Sequence, residues 1–230
     1  MTSTARTRIK ICGITREQDL DCAVEAGADA VGLVLYAGSA RHVDAPRAAA
    51  LARRLPPYVT PVLLFVNAAP TEVADALEQV PGALLQFHGD ESPAHCAALA
   101  AGHPWVRAAR IPLDPADRFD LLRFALDFSQ AQALLLDAHV DGYGGAGKAF
   151  DWSRIPTNVD AHLVLSGGLT PANVGDGIAM LRPRCRTLAV DVSSGVESSK
   201  GIKDAGKIHR FVAAVRAADA AIAPSPHESP

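Results

Sequence analysis

Residues 8–36 read RIKICGITREQDLDCAVEAGADAVGLVLY and contain one complete structural unit. An apolar run, Arg8–Gly13, leads into a polar segment that opens with Thr15 and Gln18 at capping-box spacing and closes near Gly27. A second run, Ala30–Tyr36, is apolar almost throughout. Short, continuously apolar runs joined by helix-length polar segments are what strands covered by helices on their outer face require. The unit is strand–helix–strand, and its right-handed crossover makes the two strands parallel.

The unit recurs to near the end of the chain. Further strands are expected at Pro61–Asn67, Ala83–Gly89, Trp105–Ile111, Ala133–Asp137, His162–Gly168 and Thr187–Val192. Helices are expected from Asp44-Ala-Pro to Pro56-Pro57, and over 71–79, 92–101, 115–128, 170–181 and 204–221. After the sixth strand there is only a weak start, Phe150-Asp-Trp-Ser, which Pro156 interrupts, so the helix there is short or degenerate. An open doubly wound sheet has five or six strands. Eight units in 230 residues fit a single-domain α/β fold, the closed (β/α)8 or TIM barrel, spanning 1–222. The tail 223–230, rich in Pro and Ser, is expected to be disordered.

Composition removes several functional classes. Hydrophobic residues at 49% and charged residues at 20% exclude a disordered chain, and a formal charge of −3 leaves no basic surplus for nucleic acid. No apolar run reaches the length of a membrane span and the N-terminus lacks an apolar signal segment, so no membrane partner is expected. Cys12, Cys22, Cys96 and Cys185 are far apart with no CxxC, which argues against a zinc site or a disulfide framework and for a cytoplasmic location.

Barrel chemistry sits at the C-terminal ends of the strands. There the sequence places Lys10 and Cys12, Ser39 with Arg41 and His42, Asn67, Gln86 with His88, Asp137, Ser166-Gly-Gly168, and Asp191-Val-Ser193-Ser-Gly195; only the fifth strand offers nothing polar. The opposite loops read as plain turns, and this asymmetry marks an enzyme. The Gly-rich loop 142–149 imitates nucleotide motifs, but Ala149 stands where a Walker motif needs Ser or Thr, and no full helix follows. It reads equally as a flexible cover with Lys148 or as a solvent loop. Gly167-Gly168 and Ser193-Ser-Gly195 suit a phosphate after the seventh and eighth strands, or are ordinary turns.

Cys12 and Asp137 form the reactive pair. A thiolate serves as base, and Lys10 on the same strand face would draw its pKa toward neutrality; the alternative is a small residue filling the barrel rim. Asp137 follows Leu134–Leu136, so desolvation would favour its acid form; the alternative is a turn cap. His88 and Asp191 fit either structural or functional roles.

These stretches together form a pattern. Lys10-Ile-Cys-Gly-Ile-Thr15, Gln86-Phe-His-Gly89, Tyr143–Lys148 with Phe150-Asp-Trp152, Leu165–Leu169 and Ala189–Glu197 closely resemble phosphoribosylanthranilate isomerases, in order, from about residue 8 to 216. Departures are minor: Phe87 where the family usually has Leu, and Ala146 and Ala149 for commoner Ser and Thr. The resemblance implies a (β/α)8 barrel performing an Amadori rearrangement in tryptophan biosynthesis, with neither metal nor cofactor. It implies Asp137 as general acid, Cys12 as general base, Arg41 on the anthranilate carboxylate, and Gly168, Ser194 and Gly195 on the phosphate. His88, Asp191, Gly167 and Ser193 are counted with these as substrate-binding candidates. Arg41 alone would read as a surface charge. The implied partner is the small-molecule substrate, with the chain a monomer or homodimer. The alternatives are a non-catalytic phosphoribosyl-ligand-binding barrel and a lyase of the indole-glycerol-phosphate synthase type, which would need a catalytic lysine set.

Overall fold

The computed structural model describes residues 6–114, 116–139 and 149–222. Most of the Gly-rich loop (142–148) and the tail at 223–230 lie outside the described residues. Eight strands close a parallel barrel: β1 (Arg8–Cys12), β2 (Ala30–Val34), β3 (Thr60–Phe65), β4 (Leu84–Phe87), β5 (Trp105–Pro112), β6 (Ala133–His139), β7 (His162–Leu165) and β8 (Thr187–Val192), with β8 returning to β1. Each expected strand is present; β1, β2, β3, β4 and β7 end one to three residues early, β5 and β6 run one and two residues further, and β8 ends where expected.

The helices are α1 (Glu17–Ala26), α2 (Ala45–Ala52), α3 (Pro70–Gln79), α4 (Pro93–Ala100), α5 (Leu121–Asp127), α6 (Val174–Leu181) and α7 (Ala205–Ile222). Among the described residues, the link after β6 carries only a 3-10 turn, Trp152–Arg154, which ends before Pro156. Three local expectations fail. Thr15 does not cap α1: its hydroxyl donates to the Gly201 carbonyl, and Arg16 occupies the cap without a side-chain bond. Helix α5 starts at Leu121 rather than 115, because Asp114 accepts the Ala116 N–H in a turn and Asp120 caps the helix through Arg123 N–H. Helix α6 starts at Val174 rather than 170, since Asn173 bonds Thr170 N–H and the Gly168 carbonyl and holds 168–173 as a loop.

Alternation along each strand separates two cores. Ile9, Ile11, Leu33, Leu63, Phe65, Leu85, Phe87 and Leu136 point outward and are buried under the helices. Inside the barrel, Val106, Ala108 and Leu135 pack in one layer, and Cys12, Val34, Leu64 and Val66 in another. Each fully buried side chain of this size contributes roughly 1.5–3 kcal/mol. The period of two decides the site. Leu135 faces the interior, so Asp137 does too, above it; Cys12 faces the interior, so Lys10 lies beneath it. β1 pairs with β8 so that Lys10 is the direct neighbour of Asp191.

A hairpin absent from the sequence reading follows β8: β9 (Glu197–Ser199) and β10 (Ile202–Lys203), antiparallel. It folds over the β1–β8 side of the mouth.

Candidate active site

Cys12 ends β1 with its thiol buried beside Lys10. Lys10 Nζ stands 2.9 Å from Asp191 Oδ1, and both side chains are buried. Space for the thiol comes from β2: a Cβ on Gly32 would stand 2.6 Å from Cys12 Sγ and 3.0 Å from Lys10 Nζ. The expected depression of the Cys12 pKa does not occur. Burial pushes the thiol above its ordinary value, Lys10 opposes this, and Asp191 adds to the rise. The proximity of Lys10 was read correctly; the burial cost and the neutralising partner outweigh it. Burial likewise disfavours the Lys10 ammonium, but Asp191 and Cys12 more than reverse this and raise its pKa.

Asp137, at the end of β6, is held from two sides. Its Oδ1 accepts the Ala138 N–H at 3.0 Å, and its Oδ2 lies 3.0 Å from His88 Nε2. His88 Nδ1 in turn lies 3.0 Å from Gln86 Nε2, two residues back on the inward face of β4. If the amide nitrogen donates to Nδ1, the Nε2–H donates to the carboxylate. Gly167 packs against this acid: a Cβ there would stand 2.6 Å from Ala138 N and 2.9 Å from Asp137 Oδ1. The fifth strand is not barren, as the sequence had suggested. It runs to Pro112 and brings Arg110 into register with Asp137; Arg110 also pairs with Asp90 at 3.5 Å. The signal was available in the inward parity of Val106, Ala108 and Arg110.

The loops after β7 and β8 form the third part. Gly167 and Gly168 both have positive φ, 75° and 65°, a turn that L-residues resist. Their N–H groups donate to no acceptor among the described residues. Gly195 lies so close to the Leu169 carbonyl that any Cβ would overlap it, which locks the two loops together. Gly168 stands six residues before α6, so the cradle is a glycine turn beside the 3-10 turn Ser194–Val196, not a helix N-terminus. Ser193 is engaged: Lys203 Nζ donates to its carbonyl at 3.2 Å and lies 3.3 Å from its hydroxyl.

Arg41 is no surface charge. Its Nε and Nη2 donate to Glu197 Oε1 and Oε2 at 2.7 and 2.8 Å, and its side chain is only 12% exposed. Sequence reasoning missed Glu197 and Lys203, whose partners are far apart in the chain. Among the described residues no three His, Cys, Asp or Glu side chains converge as a metal site would need, and no helix is long and apolar enough to cross a membrane.

In the ring, β7 and β8 lie between β6 and β1, so the glycine cradle separates the carboxyl of Asp137 from the thiol of Cys12. A buried thiol and a histidine-held carboxyl at one barrel mouth are the kinds of group acid–base chemistry uses, and the chain is a (β/α)8-barrel enzyme. The comparisons with known proteins narrow the class. Residues 9–214 match the family model described as N-(5'phosphoribosyl)anthranilate (PRA) isomerase. The N-(5'-phosphoribosyl)anthranilate isomerase of Methylibium petroleiphilum is 63% identical over 220 residues, covering 96% of this chain and 99% of that one. The crystal structure of the Thermotoga maritima phosphoribosyl anthranilate isomerase superposes with a TM-score of 0.80 at 38% identity, covering 92% of this chain and 99% of that chain. A structure of such an isomerase in complex with reduced 1-(o-carboxyphenylamino)-1-deoxyribulose 5-phosphate superposes at 0.74, with 35% identity and coverage of 92% and 99%. The chain belongs to the N-(5'-phosphoribosyl)anthranilate isomerase family.

Proposed function

We propose that the chain converts N-(5'-phosphoribosyl)anthranilate to 1-(2-carboxyphenylamino)-1-deoxyribulose 5-phosphate, the aldose–ketose isomerisation of tryptophan biosynthesis, with Asp137 as acid and Cys12 as base. The carrying observation is the placement of a buried thiol and a histidine-held carboxyl on either side of a glycine anion cradle at one mouth. The phosphate sits on the N–H groups of Gly168, Ser194 and Gly195, and the anthranilate carboxylate on Arg41.

With both ends fixed, the ribose ring lies between acid and base. Asp137 gives its proton to the ring oxygen as the C1–O bond breaks, leaving a protonated Schiff base between C1 and the anthranilate nitrogen. Cys12, as thiolate, takes the proton from C2; the C2–H electrons form the C1–C2 double bond and the iminium electrons return to nitrogen. The resulting enolamine loses the C2 hydroxyl proton and gains one at C1, giving the ketone. No net proton is consumed. The proton on His88 Nε2 stabilises the Asp137 carboxylate once its own has left. Lys10 steadies the Cys12 thiolate while Asp191 balances Lys10. His88, Asp191 and Ser193, counted as substrate ligands from the sequence, act here through protein partners, and Gly167 gives the seventh loop room beside the acid. We place the enzyme in the cytoplasm, where a reducing poise keeps the Cys12 thiol available.

The test is a fluorescence assay following loss of the anthranilate-type substrate on addition of the purified chain. Turnover supports this reading; tight binding without turnover contradicts it.

A further inference from the structure

The guanidinium of Arg41 is held more firmly than binding one substrate group would demand. Its Nε and Nη2 form a fork-to-fork pair with both oxygens of Glu197. Its stem crosses Gly13, where any Cβ would strike Arg41 Cδ. The residue before it, Ala40, has its carbonyl against Gly201, and the Gly201 carbonyl accepts the Thr15 hydroxyl. Glu197 and Gly201 both belong to the 197–203 hairpin, so one strap grips the loop after β2 at two successive residues.

A glutamate beside a cation that must hold an anion would, alone, cancel its charge. Lys203 prevents that. Its Nζ lies 2.8 Å from Glu197 Oε1, and its side chain is fully buried. Burial works against the Glu197 carboxylate, but Arg41 and Lys203 together hold its pKa below the usual value; burial also lowers the pKa of Lys203, and the Glu197 carboxylate opposes that by favouring the ammonium. Two cations on one carboxylate leave a single net positive charge. The remaining guanidinium edge, Nη1 with the outer hydrogen of Nη2, carries it, and Nη1 makes no hydrogen bond among the described residues.

Resting on the reading of Arg41 as the carboxylate ligand, we propose that Glu197 and Lys203 are specificity-determining positioning residues. Glu197 fixes the plane of the Arg41 guanidinium so that its outer edge meets the anthranilate carboxylate, and Lys203 neutralises Glu197 so that the edge keeps its charge. A planar, bidentate donor needs such orientation more than a point charge does.

The experiment compares two substrates: N-(5'-phosphoribosyl)anthranilate and its carboxyl-less counterpart, N-(5'-phosphoribosyl)aniline. The readout is the preference, the ratio of their kcat/KM values, for the native chain, Arg41→Ala, Glu197→Gln, Glu197→Asp and Lys203→Met. We expect Glu197→Gln and Lys203→Met to lower the preference about tenfold or more through a raised KM for the carboxylated substrate, as for loss of uniform binding. Glu197→Asp keeps the charge but is one methylene too short to reach the guanidinium in its present position, so it should also lower the preference, and it serves if Glu197→Gln does not fold. An equal loss on both substrates, with the preference intact, overturns the proposal and leaves a structural ion-pair cluster. A preference lost in Arg41→Ala but kept in the Glu197 and Lys203 variants overturns the positioning role alone. A preference kept in Arg41→Ala overturns the Arg41 assignment and this proposal with it.

Discussion

Lys10 Nζ stands 2.9 Å from Asp191 Oδ1, directly below the Cys12 thiol, so the cation that favours a thiolate is already answered by an anion. The resting site therefore holds a thiol, and deprotonation to the active base becomes easier as pH rises. Because the Cys12 pKa is raised in the folded chain, kcat/KM should climb through the alkaline range, above where an ordinary thiol titrates. Asp191→Asn should move this limb toward lower pH by leaving Lys10 unanswered. Lys10→Met should move it higher, and by stranding Asp191 should cost about 3–5 kcal/mol of stability. A pH–rate profile for each variant checks this; limbs that move together contradict it.

Gly32→Ala probes the space around the base. Its Cβ would stand 2.6 Å from Cys12 Sγ, forcing the thiol off its position. Turnover should fall about tenfold or more, since small displacements of a reacting group are costly, while denaturant unfolding changes by about 1–3 kcal/mol, the usual cost of overpacking. Unaltered turnover would mean the thiol position is immaterial.

The fold was legible to a large extent because strand and helix periods are local properties. Residues 8–36 contain one full unit, and the chain repeats it. The helix starts expected at Thr15, 115 and 170 differ from the observed ones because the Thr15 hydroxyl is drawn to the Gly201 carbonyl, Asp114 makes a turn and leaves the cap of α5 to Asp120, and Asn173 holds 168–173 as a loop. The placement of Cys12 and Asp137 at the mouth, at the ends of β1 and β6, was legible from the strand ends. The Cys12 pKa was not, since it depends on Asp191, 179 residues further along the chain, and on a burial that no spacing reports. Glu197, joined to Arg41 across 156 positions, was hidden for the same reason.

Gly195→Ala should open the cradle. The added methyl would overlap the Leu169 carbonyl, so the loops after β7 and β8 must part. Inorganic phosphate should inhibit the native enzyme competitively and raise its Tm, as a ligand of the folded state alone does. Both effects should weaken at least severalfold in Gly195→Ala. Thermal melts with increasing phosphate measure this, and an equal Tm rise in both proteins would place the anion elsewhere.

Two thiols, Cys96 buried and Cys185 half-buried, give a stability signature. Burial pushes Cys96 and Cys185 up from 9.0 to about 11. Their folded pKa lies above the unfolded value, so the native state keeps protons the unfolded state has lost, and stability falls as pH rises from about 9 toward 11. The upper bound is roughly 2–3 kcal/mol per thiol. Urea unfolding at pH 8 and pH 10.5 should show this loss, and Cys96→Val should reduce it; an identical loss in the variant would assign it to other groups.

We assign Cys12 and Asp137 as the base and acid of the isomerisation. Cys12→Ser keeps the shape but leaves almost no base form near pH 7, and Asp137→Asn removes the transferable proton. The decisive measurement is steady-state turnover of N-(5'-phosphoribosyl)anthranilate by both variants, alongside substrate affinity. Each should lower kcat about 10²–10⁴-fold, with affinity largely kept. A Cys12→Ser enzyme that retains more than about a tenth of native turnover, outside that range, would contradict the assignment.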